Sequence, residues 1–414
     1  MPGRSLAALS CCSLVAAAAL AGCGGAGTKS TAANRTTLTI YASMPMQGAA
    51  REQSESVIKA EKLALAEAGG RVGGYTVKYV ALDDATAAAG ESDPGQTSVN
   101  ARKAALDPST IAYLGEGNAG ASAVSIPILN EAGVLQVSPW DSPAGFTRAQ
   151  GADKGEPQKY YPSGKRNFAR VVPANDVQAA AMASYQLDKG CTHTYVVSGR
   201  DVFGLDLASQ FELAATRDNG PRVLKVQRLD PGADDFTALA QKIVTSGADC
   251  MLFAGITADN APDLFAAVHD ADPHMKLFGG SGVAESSFTS DLSAAVQRVT
   301  YITSPTLVPS LYPPAGKAFF TTYRQKFGKD PEPAAIFGYE AMKVTLLAIQ
   351  NAGDKGNDQQ AVIDAMYKIK NHDSSVGTYS IDANGDTTLS TYGAWSVHNG
   401  KLVFEKAIKT SARK

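Results

Sequence analysis

Eight short β-rich runs recur along the chain with helical stretches between them, and this alternation restricts the fold more than any other feature. The runs are LTIYAS (38–43), YTVKYVALDD (75–84), IAYLGE (111–116), VLQVSP (134–139), TYVVSG (194–199), VLKVQRL (223–229), CMLFAG (250–255) and KLFGGS (276–281). Among the intervening stretches, SESVIKAEKLALAEAGG clusters Val57, Ile58, Leu63 and Leu65 on one helical face, and Gly69-Gly70 ends it. Strands alternating with amphipathic helices predict parallel sheets covered on both faces, hence an α/β doubly wound class. The runs fall into two sets divided near residues 160–175, which predicts two lobes. Between the sets, QGADKGEPQKYYPSGKRNF (150–168) is rich in Gly, Pro and charge and reads as a long surface loop.

The N-terminus is a different kind of sequence. An apolar run from Leu6 to Leu20 follows the single charge of Arg4 and is too short to span a bilayer, which takes about 20 apolar residues. It fits a secretory leader. Leu20-Ala21-Gly22-Cys23 closes the run and resembles a bacterial lipobox, so residues 1–22 are expected to be a lipoprotein signal peptide and Cys23 the lipidated mature N-terminus. Two or more acyl chains there would give stable anchoring. Residues 23–37 are small, polar and aperiodic, and read as a tether. The expected location is extracytoplasmic, on the cell membrane.

Composition agrees with that placement. The chain carries 38 basic and 40 acidic residues, so no polyanion or nucleic-acid partner is implied. The 414 residues include enough chain for two full cores. Of five cysteines, Cys11 and Cys12 fall in the leader and Cys23 at the anchor, which leaves Cys191 and Cys250 as an even pair in an oxidising compartment.

The sharpest motif lies at residues 115–120, where Gly115, Gly117 and Gly120 spell G-x-G-x-x-G between a strand and a helix, with Asp141 after the next strand. Three features argue against a dinucleotide. The motif follows the third strand and not the first, Ser138-Pro139-Trp140 separates Asp141 from its strand, and no nicotinamide pool exists outside the cytoplasm. Glycines before a helix N-terminus still let a backbone approach a small anion closely, and Asn118 to Ala121 would supply the N–H donors.

Nine segments, in order, extend the reading to the whole chain: MPMQGAA (44–50), LALAEAGGRVGGYTVKYVALDDA (63–85), YLGEGNAGASAVSIPILNEAGVLQVSP (113–139), FARVVPANDVQAAAMA (168–183), RDVFG (200–204), DDFTALAQKIVTSGAD (234–249), FFTTYRQKFG (319–328), FGYEAMKV (337–344) and DANGD (382–386). Together they resemble the periplasmic binding proteins of branched-chain amino acid ABC importers. The resemblance implies a type I periplasmic binding protein fold, with two doubly wound α/β lobes joined by three crossing segments and closing on a small ligand. The expected lobes are 38–170 plus 303–375 and 171–302 plus 376–414, with crossings near 168–173, 299–304 and 376–380.

The same resemblance implies the site. Family members hold the ligand carboxylate with a serine and a threonine at the positions of Ala119 and Ser142, so one hydroxyl is kept and one lost, a change of about 1 kcal/mol. The amides of Ala119 and Gly120 remain as donors. Phe203 and Thr257 occupy positions where the family often has tyrosine, and Ser281 stands where it has the glutamate that pairs with the ligand ammonium. A buried ammonium needs a counter-charge, and Glu116, Asp141, Asp201 and Glu285 are the candidates. The expected contact residues are therefore Asn118, Ala119, Gly120, Asp141, Ser142, Phe203, Thr257 and Ser281, with Trp140 as an apolar wall. The family's first-lobe disulfide has no counterpart, because Thr86 and Asn118 sit at its positions. Cys191 and Cys250 begin strands that are neighbours in a 2-1-3 order and are either bonded to each other or two buried thiols.

An enzyme reading finds little support. No G-x-S-x-G or H-E-x-x-H exists, and His193, His269, His274, His372 and His398 show no ligand spacing. DANGD lacks the distal glutamate of an EF-hand and reads as a turn on Asn384-Gly385. No catalytic residue, metal or cofactor is expected. The expected partners are a small ligand and an ABC permease, with the protein a monomer. The ligand is read as a branched-chain or other small amino acid, the alternatives being an amide, urea-like or carboxylic-acid solute, or a sensory rather than a transport role.

Overall fold

In the computed structural model, residues 36–217, 219–230 and 232–410 are described. Cys23, the leader and most of the tether lie outside them. Two sheets organise the fold. The first contains β1 (Thr37–Met44), β2 (Arg71–Val72), β3 (Tyr75–Asp83), β4 (Thr110–Leu114), β5 (Leu135–Ser138) and β6 (Phe168–Arg170), in the order β2-β3-β1-β4-β5-β6. All its pairings are parallel except β2–β3. The second contains β7 (His193–Ser198), β8 (Arg222–Arg228), β9 (Cys250–Ala254), β10 (Lys276–Gly279) and β11 (Thr300–Ser304). A short pair, β12 (His372–Asp373) and β13 (Thr378–Tyr379), precedes β14 (Thr391–His398) and β15 (Lys401–Lys409), which return to the second sheet and complete the order β15-β14-β11-β10-β9-β7-β8.

Leaving aside β2 and the β14–β15 hairpin, each sheet has the order 2-1-3-4-5, with its strand order reversing between β1 and β4 in one and between β7 and β9 in the other. Ligands of open α/β sheets bind beyond the carboxyl ends of strands at such points. Helices cover the sheets: α1 (Arg51–Glu67), α2 (Pro94–Leu106) and α3 (Ala119–Glu131) on the first; α4 (Asn175–Asp188), α5 (Val202–Arg217), α6 (Thr237–Thr245), α7 (Ala261–Ala271), α8 (Ser286–Asp291) and α9 (Ala294–Gln297) on the second. The chain then returns to the first lobe with α10 (Pro314–Phe327), α11 (Ala335–Asn351) and α12 (Gln359–Tyr367), whose Phe319, Ile336, Met342 and Met366 join Leu38, Ile40 and Leu63 in one buried core. A second core gathers Tyr195, Phe253, Phe265, Leu277 and Phe288 under the other sheet.

The second and third passages between lobes differ from the expected places. Thr300–Ser304 is a full strand hydrogen-bonded between β10 and β14, so the second passage begins after Ser304. Tyr379 and Ile381 pack in the first core, so the third passage comes after Ile381 and before β14. At the first passage Arg170 is fully buried and bonded to Asp386 of the third at 2.7 Å, and Arg148 reaches the same carboxylate at 2.6 Å. That pairing holds Asp386 below the ordinary carboxylate range despite its burial. The 150–168 segment is ordered against the second lobe: Gln210 and Ser209 of α5 donate to the carbonyls of Gln150 and Gly151 at 3.0 Å. A disulfide joins Cys191 and Cys250, whose Cα atoms are 5.9 Å apart. No helix among the described residues is long and apolar enough to cross a membrane.

Candidate ligand-binding site

A cavity opens where the two reversal points face each other. Its first wall comes from the chain just beyond β1 (Pro45, then Ala49, Ala50 and Gln53), from the 90–92 loop, from the turn between β4 and α3, and from Trp140 and Asp141 after β5. Its second wall comes from Asp201 and Phe203 after β7, from Ile256 to Ala258 after β9, and from Ser281, Gly282 and Glu285 after β10. Each contribution follows a strand's carboxyl end, the placement a doubly wound sheet dictates.

The glycines of the G-x-G-x-x-G turn have a steric explanation. A Cβ on Gly115 would lie 2.8 Å from the Ser43 carbonyl oxygen, and one on Gly117 would lie 2.8 Å from the Met44 sulfur. They let the β4 turn press against the end of β1. The helix that follows is self-capped: Asn118 Oδ1 accepts from the amides of Gly120 at 2.8 Å and Ala121 at 3.3 Å. Gly120 therefore does not offer its N–H to the cavity, contrary to expectation, and Ala119 holds the first-turn amide left for a ligand.

Six of the eight expected contact residues line the cavity: Asn118, Ala119, Asp141, Phe203, Thr257 and Ser281. Gly120 and Ser142 do not. Ser142 is buried behind the wall, where its carbonyl accepts from the Asn175 amide at 2.7 Å. Of the four acids considered as counter-charge, Asp141, Asp201 and Glu285 reach the cavity, whereas Glu116 is buried beneath the turn and accepts from the Tyr113 hydroxyl at 2.8 Å. Gln53, Glu91 and Ser92 also line the first wall. They arrive from loops and a helix start with no periodic signature, and only the resemblance of 44–50 brought the neighbouring chain to notice.

The electrostatics are one-sided. Burial pushes Asp141 up to about 7, opposed by the Ser122 hydroxyl that donates to it and by Arg170. Burial also pushes Glu285 to about 7. Asp201 reaches about 7 through burial and the charge of Asp259, although it caps α5 by accepting from the amides of Phe203 and Gly204 at 3.1 Å. Glu91 is raised by burial and by Asp259. The hydroxyl protons of the cavity are committed to the protein: Ser281 donates to Gln178 Oε1 at 3.0 Å, Ser92 to Asp84 Oδ1 at 3.1 Å, and Thr257 to the Gly282 carbonyl at 3.5 Å.

A two-lobed α/β protein that encloses a cavity at paired reversal points, with walls from both lobes, is built to hold a small solute. The chain belongs to the periplasmic binding protein family, whose model matches residues 37–400. It is 25% identical over 287 residues to a Leu/Ile/Val-binding protein homolog of Brucella melitensis, covering 68% of this chain and 72% of the relative. Among solved structures it resembles the leucine-binding protein LivK of Thermotoga maritima, with a TM-score of 0.78 at 23% identity, covering 90% of this chain and 99% of that one. A solute-binding protein of an ABC transporter from R. palustris, solved with benzoate, matches with a TM-score of 0.72 at 18% identity over 91% of this chain and 98% of that one. The chain is thus a periplasmic binding protein by family, with the type I periplasmic binding fold.

Proposed function

We propose that this protein is the lipid-anchored extracytoplasmic receptor of an ABC importer, capturing a small amino acid or related amine between its lobes and delivering it to the permease. The observation that carries the reading is the cavity itself, enclosed by Asn118, Ala119, Trp140 and Asp141 on one side and Phe203, Thr257, Ser281 and Glu285 on the other. A ligand touching both walls favours the closed arrangement by its differential contacts, and closure is what a permease can read. The names of relatives in Brucella melitensis, Rhizobium johnstonii and Pseudomonas aeruginosa, which specify amino acid binding, support an amino acid ligand. In place of the family glutamate at Ser281, Asp141 and Glu285 supply the negative charge an ammonium needs. Lipidation at Cys23 would keep the receptor at the membrane where the permease sits.

The test is a thermal-shift and calorimetric screen of the purified protein against amino acids, their amides and small carboxylic acids. A true ligand at 100 times its Kd raises stability by about 2.7 kcal/mol. Loss of substrate uptake in cells lacking this protein, with uptake restored by the intact chain and not by a Cys23→Ala variant, checks delivery and anchoring together. No stabilisation by any solute in the screen sinks the proposal.

A further inference from the structure

Resting on the reading above, we infer that the solute held in this cleft carries more positive than negative charge: a small molecule with two amino or guanidino groups, such as a basic amino acid or a diamine, and not a branched-chain amino acid. Two independent features of the cavity wall carry the inference.

The first is charge. Glu91, Asp141, Asp201 and Glu285 line the cavity, and no Lys, Arg or His does so among the described residues. Asp201 is matched in part by the helix it caps. Glu285 stands at the N-cap position of α8 yet makes no capping hydrogen bond; it is 7% exposed and faces the Thr257 and Ser287 hydroxyls, which carry no counter-charge. Asp141, 3% exposed, receives the Ser122 hydroxyl, which carries no charge. The cation behind it, Arg170, is already held by Asp386 and by the carbonyls of Asp141 and Pro143. An ionised carboxylate at such burial demands a counter-charge, and the protein supplies none on the cavity side.

The second is the hydrogen-bond inventory. Ser92, Thr257 and Ser281 have their protons on protein acceptors, so toward the cavity they present lone pairs. Gln53 Oε1 is buried without a partner on the same wall. The cleft is therefore rich in acceptors and poor in donors, the complement of ammonium or guanidinium groups. The donors that remain, the Ala119 amide and the Asn118 side-chain amide at the start of α3, suffice for one carboxylate. A leucine zwitterion would fill that corner and satisfy one acid, leaving another facing methyl groups. A second cation removes that conflict, and the Trp140 and Phe203 rings offer it π faces.

The experiment is a calorimetric titration of the purified protein with L-leucine, L-lysine, L-arginine, 1,4-diaminobutane and benzoate at pH 7.5, repeated on Glu285→Gln and Glu91→Gln. The expected result is that at least one of the dicationic compounds binds tenfold or more tightly than leucine, with that preference reduced at least tenfold by Glu285→Gln while the variant's ligand-free melting midpoint does not fall. Glu91→Gln, at a half-buried position, gives the same reading should Glu285→Gln fail to fold. Lysine ahead of diaminobutane places a carboxylate at Ala119; the reverse order places none there, and both orders support the inference. Leucine or benzoate binding as tightly as every dication overturns it while the amino acid or carboxylate reading stands. If nothing binds, the inference falls together with the solute-binding proposal beneath it.

Discussion

At the scale of single residues, the cleft is shaped as much by missing side chains as by present ones. A Cβ on Gly282 would sit 2.3 Å from the Gly255 carbonyl oxygen and 2.7 Å from the Phe203 ring. Both are cavity-wall segments or their direct neighbours, so Gly282→Ala must displace a wall, and backbone cannot yield as a flexible side chain does. We expect at least a tenfold loss of ligand affinity by calorimetry, with the melting midpoint much less affected because the strain falls at the cavity and not in a core. Asp386 is a different case. It is the shared partner of the fully buried Arg170 and of Arg148, and removing its charge strands a buried guanidinium. Asp386→Asn should lower stability by about 3–5 kcal/mol in urea denaturation, the range for breaking a buried pair. Because its carboxyl is held below the ordinary range, that contribution is present at neutral pH and is lost only as pH falls through the depressed value.

Among elements, the disulfide ties the start of β9 to the residue two before β7, spanning 59 positions in sequence. Closing a loop of that size restricts the unfolded chain, so a Cys191→Ala/Cys250→Ala double variant should lose about 2–4 kcal/mol in chemical denaturation. An unchanged midpoint would mean that strand pairing, which sets Thr194 opposite Cys250, is sufficient alone. The eight β-rich runs all became strands, because alternation of buried β segments and amphipathic helices is a pattern that short-range sequence carries. TYITS at Thr300–Ser304 looked like a crossing, since nothing local distinguishes a strand that ends a lobe from a connector that leaves it. The β14–β15 hairpin went unread although Asn399-Gly400, both at positive φ, joins His398 to Lys401 in the two-residue turn that such a pair favours. At the site, the glycine turn and Asp141 were legible because special backbone and a charge beside a strand end stand out. Glu91 and Gln53 were not, since a loop acid and a glutamine at a helix start look the same whether they face solvent or a cleft.

For the molecule as a whole, the two lobes face each other with like charge. On top of the effect of burial, Asp259 of the second lobe raises Glu91 of the first across the cleft, and Asp259 and Glu91 raise Asp201. Asp141 is faced by the Ser122 hydroxyl, Arg170 and Asp84, and Glu285 by Thr257, Ser287 and Glu332. The carboxyls of Asp141, Asp201 and Glu285 stand at about 7 in the folded, ligand-free protein, against about 4 in an unfolded chain. Between those values the folded state holds protons that the unfolded state has released. Stability therefore falls as pH rises through that window, with the loss complete above the folded values. The ligand-free melting midpoint should drop by at least about 2 °C between pH 5 and pH 8, a floor on the order of 1–2 kcal/mol for a chain of this size. A bound cation draws the same carboxyls back to their ionised form, so saturating ligand should flatten the drop. Binding should also release protons, seen as a calorimetric heat that changes with the ionisation enthalpy of the buffer. A flat ligand-free profile, or binding that takes up protons instead, would mean that the cleft acids are already ionised and matched, and that closure is not opposed by their charge.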